Sequence, residues 1–170
     1  RLELVASLLS SSLARPLRPE ERTALEMAIR SASARRLQPT LADVVDRLLD
    51  PDGDDAAVVR TDRAGLAADG RTPALELRRL ASGDLAGMFD GPTSTGVKMG
   101  SDVVVLDLSA TFASAALPLV MTCATAWLQA ALGERSGAQR LVVMDEAWAV
   151  LADLATARWS QATFKLSRAL

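Results

Sequence analysis

The sequence predicts an α/β chain, with an all-helical stretch over residues 1–88 followed by a strand–helix–strand core over residues 89–170. Three observations predict it. Apolar residues recur at spacings of three and four before residue 88. Two later runs, Val103-Val104-Val105-Leu106 and Leu141-Val142-Val143-Met144, are apolar at every position, the pattern of strands buried on both faces of a parallel sheet. An uncharged helical stretch joins those runs, completing a βαβ unit.

Each element has its own signal. Leu2, Leu4, Val5, Leu8, Leu9 and Leu13 trace one helix face, and Pro16 and Pro19 break it. Pro19 suits the first turn of a second helix carrying Leu25, Met27, Ala28 and Ile29, because a missing N–H costs nothing there. Thr40 with Asp43 forms a capping-box pattern ahead of Val44, Val45, Leu48 and Leu49. Asp50-Pro51-Asp52-Gly53-Asp54-Asp55 reads as a solvated loop, since the twelfth position of a calcium loop, which needs a bidentate acid, is Thr61. Thr72-Pro73 is expected to open a further helix through Leu75, Leu77 and Leu80. Residues 108–133 carry no charge, but Ser109, Thr111, Ser114, Thr122, Thr125 and Gln129 favour a helix covered by a sheet over a membrane span, with Gly133 as its stop.

Composition excludes several function classes. Apolar residues make up 49% and charged residues 24% of the 170, a balance too apolar for a disordered tail. With one cysteine, Cys123, and no histidine, neither a disulfide framework nor a Cys/His zinc site can form, and histidine-based catalysis is excluded. Cys123 itself reads as a small buried hydrophobe. A net charge of −2 provides no overall positive field for phosphate backbones. The chain opens at Arg1 without a leader and stops inside an amphipathic run at Ala169-Leu170, so a piece of a longer protein is expected.

The chemistry concentrates at Asp145-Glu146. An acid pair directly after a buried strand sits at the carboxyl edge of a sheet, where α/β proteins hold ligands, and this is the pattern of a Walker B site. Asp145 would hold Mg²⁺ through its water shell, and Glu146 would orient the water that attacks the γ-phosphate and accept its proton. The same two acids would also suit the first turn of a following helix. Asp107 closes the earlier run, but it is followed by Leu108 and Ser109 and is read as helix-entry chemistry. Gly91 and Gly96 have the spacing of a phosphate loop, yet Val97 stands where lysine is needed and Met99 follows Lys98, and the segment precedes a strand instead of following one. The phosphate-binding loop is therefore expected to lie outside the chain.

Asp145-Glu146-Ala147-Trp148, the stretch from Val103 to Ser109, Met88-Phe89-Asp90-Gly91 and Phe164-Lys165-Leu166-Ser167-Arg168 together resemble the ATPases that energise type IV secretion and conjugative transfer. These are TraC-like members of the HerA–FtsK group of P-loop motors. The resemblance implies a partial RecA-like P-loop NTPase core preceded by an all-α insertion, ATP and Mg²⁺ as cofactors, and a hexameric ring. It further implies attachment to membrane secretion-channel proteins at the cytoplasmic face, with DNA or protein as cargo. Asp145 and Glu146 match the family's Walker B acids, while Arg168 falls in the basic segment that follows. Two other readings remain open: a HerA- or FtsK-type DNA translocase, and a non-catalytic helical interaction module.

Overall fold

A computed structural model describes residues 1–82, 87, 91, 103–109, 117–133 and 141–145. The chain divides into two units, Arg1–Lys98 and Met99–Leu170. The first contains α1 (Leu2–Ser12), α2 (Pro19–Arg35), α3 (Leu41–Leu49), α4 (Gly53–Val58) and α5 (Arg63–Ser82), and the second contains α6 (Leu117–Gly133).

The first three helices form where apolar spacing and capping place them. In α1 the buried face is Val5, Ala6, Leu8 and Leu9. Helix α2 begins at Pro19 and buries Ala24, Leu25, Met27, Ala28 and Ala32. Helix α3 starts with a reciprocal cap: the Asp43 carboxylate accepts from the Thr40 N–H at 2.8 Å, and the Thr40 hydroxyl oxygen accepts from the Asp43 N–H at 3.4 Å. Donation by Thr40, from its N–H first and then from its hydroxyl at 2.8 Å, holds the Asp43 carboxyl below its ordinary range.

Two elements of this unit differ from expectation. The aspartate-rich stretch is not all loop, because α4 begins at Gly53 and places Asp54 and Asp55 in its first turn, where acids favour the positive helix end. Helix α5 begins at Arg63, ten positions before Pro73, and carries that proline in its interior. Its start is set by Asp62, whose carboxylate accepts from the Gly65 N–H at 2.7 Å. An interior proline removes one ladder donor and costs about 3 kcal/mol, but Pro73 lies buried beside Ala74, and Leu66, Leu77 and Leu80 bury the rest of the face. The core is built where α2, α3 and α5 meet, with Leu25, Leu48, Leu77 and Leu80 almost fully enclosed.

The α/β prediction is corrected in the second unit. Neither apolar run is a strand, and no strand occurs among the described residues, so the expected partial RecA-like core is not what forms there. Val103 is 76% exposed, Val105 81%, Leu141 88% and Val143 79%, the opposite of burial on both faces. The physical reason is that β-branched composition supplies only a preference, whereas a strand exists by ladder pairing and packing with neighbours. Within α6 Thr125 donates its hydroxyl to the Met121 carbonyl at 2.5 Å, so that a polar group sits in an apolar helix without an orphan proton.

Candidate functional site

Asp145, the expected metal acid, lies at an exposed bend that directly follows Leu141, Val142, Val143 and Met144. Its carboxylate is thus on the solvent side of the chain, but not at a sheet edge. Glu146, the expected catalytic residue, lies outside the described residues, as do Trp148, Lys98 and the segment from Phe164 to Arg168. The structure therefore places Asp145 and does not bear on its pairing with Glu146.

Asp107 has a local structural role, while the helix entry expected just after it lies outside the described residues. Its carboxylate accepts from the Ser109 N–H at 2.9 Å, closing a local turn. That backbone bond, assisted by the Ser109 hydroxyl, holds the Asp107 carboxyl below its ordinary range. Cys123 is half-buried in α6, and burial pushes its thiol pKa up, which makes it a poor nucleophile.

Magnesium asks for one or two carboxylates and several waters, arranged about a bound phosphate. Among the described residues no group of three or more cysteine, aspartate or glutamate side chains could hold a metal ion. Asp145 by itself does not make a magnesium site.

Among the described residues, the densest polar clusters lie in the first unit, and sequence reasoning did not single them out. Glu21 is fully buried at the start of α2; it accepts from Arg15 through both terminal guanidinium nitrogens at 2.8 Å, from Arg18 Nη2 at 3.0 Å and from the Arg18 N–H at 2.9 Å. The Arg15 bonds dominate, and the carboxyl is pushed down to about 2. Asp52, just before α4, accepts from Ser31 at 2.9 Å and from Arg35 at 2.8 Å, and lies 3.5 Å from Arg47. Beside it a cavity of about 530 Å³ is lined by Arg30, Ser31, Arg35, Asp54 and Asp55. Its cations are already neutralised from within the chain, since Arg30 pairs with Asp55 at 2.7 Å and Arg35 with Asp52 at 2.8 Å. These clusters tie helices together. The signal that could have found the first was the clustering of Arg15, Arg18 and Glu21 around Pro16 and Pro19.

No helix among the described residues is long and apolar enough to cross a membrane. No known protein family, no curated protein and no solved structure matches this chain.

Proposed function

We propose that the chain is part of an ATP-hydrolysing motor subunit that energises type IV secretion or conjugative transfer. In this reading residues 1–88 are the helical insertion, and Asp145 and Glu146 are the acids that serve a magnesium-bound ATP. The reading extends to a homohexameric ring at the cytoplasmic face of a secretion channel, moving DNA or protein. The observation that carries it is the Asp-Glu-Ala-Trp sequence at the end of an apolar run, with the first acid exposed to solvent. The covered sheet expected beneath those acids is no part of the argument. Asp145 would hold Mg²⁺ through water, and Glu146 would hold and accept a proton from the attacking water.

A second reading, a non-catalytic helical interaction module, is favoured by a different observation. Asp107 is spent on the turn at Ser109, and the ordered polar clusters of the first unit hold helices together. One experiment separates the two. In the intact protein that carries this chain, Glu146→Gln should lower ATP turnover about 100-fold or more while retaining nucleotide binding. Unchanged turnover in both Glu146→Gln and Asp145→Asn would establish the interaction module. Turnover stimulated by DNA without any secretion channel would direct the motor reading to a DNA translocase.

A further inference from the structure

The connection between α1 and α2 turns at Ala14. Ala14 has φ +52°, the left-handed region, and α1 ends there in a Schellman arrangement: the Arg15 N–H bonds the Ser10 carbonyl at 3.1 Å and the Ala14 N–H bonds the Ser11 carbonyl at 3.3 Å. Glycine is the residue that adopts this conformation without cost; alanine adopts it under strain. On one side of Ala14 stands a regular helix. On the other, Arg15 is clamped to buried Glu21, and the residues ahead of Pro16 and Pro19 are biased to extended backbone. The strain is therefore confined to Ala14, and a straightened Ala14 would relieve it while leaving both flanking bodies intact.

The seat of α1 lies on α2 and α5 and takes Val5, Leu8 and Leu9. Its polar ties run to the same two helices: Glu3 pairs with Arg22 of α2, and Ser12 bonds Glu76 and, at 2.8 Å, Arg79 of α5. A vacated seat would expose three aliphatic contacts and leave Glu76 and Arg22 without these partners, so the seat cannot stay bare. The occupant that matches both the apolar face and the charges is α1 itself. We propose that this chain forms a domain-swapped dimer in which α1 of each copy, released by straightening at Ala14, occupies the α2–α5 seat of the other. This inference concerns the first unit alone and does not depend on the motor reading.

Charge reversal across the seat tests it in the full chain. Glu3→Arg and Arg22→Glu each break the Glu3–Arg22 pair when alone; when the two variants are unfolded together and refolded, a swapped heterodimer restores both pairs. Native mass spectrometry should then show a heterodimer fraction well above the statistical half, and light scattering should show a wild-type dimer that grows with concentration and exchanges slowly. Ala14→Gly should lower the dimer association constant about tenfold or more, because it removes the strain from both hinges of the dimer's closed counterparts. Ala14→Val should raise the dimer fraction; if it does not fold, the glycine variant and the charge mixture decide. A monomer at every concentration, a heterodimer at the statistical half, or a dimer fraction unaffected by Ala14→Gly would each overturn the proposal.

Discussion

A Cβ atom on Gly70 would stand 2.9 Å from the carbonyl oxygen of Leu48 and 3.1 Å from its Cδ2. Helices α3 and α5 therefore meet backbone to backbone at this point, and the absence of a side chain is what lets them do so. In an open helix Gly→Ala stabilises by about 1 kcal/mol. Here forced separation of a packed seam, about 1–3 kcal/mol, outweighs that gain. Gly70→Ala is expected to lose about 1 kcal/mol in urea unfolding, whereas Gly53→Ala, whose nearest neighbour is Arg63 Cδ at 3.9 Å, should lose nothing. Equal behaviour of the two variants would refute the close approach.

The Glu21 clamp predicts a pH dependence. Folding lowers this carboxyl from about 4.5 to about 2, so its contribution is complete above the unfolded value and is lost as pH falls from 4.5 toward 2. The loss amounts to about 3 kcal/mol at most. Denaturant midpoints measured between pH 5 and pH 2 should fall less steeply in Glu21→Gln than in the wild type. Parallel slopes would mean that Glu21 titrates alike in both states.

Removing one partner of that clamp should be worse than removing its buried member. Arg15→Met leaves a fully enclosed carboxylate with only Arg18, whose side chain is 59% exposed, and is expected to cost about 3 kcal/mol. Glu21→Met takes the charge away with its bonds and should cost less. Thermal melts of the two variants at pH 7 check the order.

Arg60 has φ +58° at the end of α4, where its N–H bonds the Ala57 carbonyl at 3.1 Å and the Thr61 N–H bonds the Ala56 carbonyl at 3.0 Å. Arg60→Gly should raise stability by about 0.5–1 kcal/mol, strain relief exceeding the added freedom of the unfolded chain. A lower melting temperature would show that the arginine side chain contributes more than its backbone costs.

Thr40→Ala should cost about 1 kcal/mol, and Thr40→Ser should cost little, because serine keeps the oxygen that accepts from Asp43. Thermal melts distinguish a cap from simple packing: loss in both variants would point to the Thr40 methyl group.

These residues also show which parts of the fold can be read from sequence. Thr40 with Asp43, and Pro19 as the first residue of α2, are signals whose cause is local, and the helices start there. Pro73 misleads because proline most often marks a first turn, whereas here Asp62 had already capped the helix and burial of the proline's surroundings holds it in the interior. The runs at 103–106 and 141–144 mislead more seriously, since a strand needs a partner that composition does not name. At the candidate site, the exposed position of Asp145 and the turn-closing role of Asp107 are the legible parts. The Glu21 clamp left only a weak trace, the clustering of Arg15, Arg18 and Glu21 around Pro16 and Pro19, because an arginine six residues from a glutamate has no periodicity and only the turn between α1 and α2 brings them together.

The uncovered valines have a practical consequence. Val103 to Leu106 and Leu141 to Val143 present exposed aliphatic side chains, with a single acid, Asp107 or Asp145, at the end of each run. High salt screens those charges, so precipitation of concentrated protein is expected to begin at these two segments while α1–α5 are still folded.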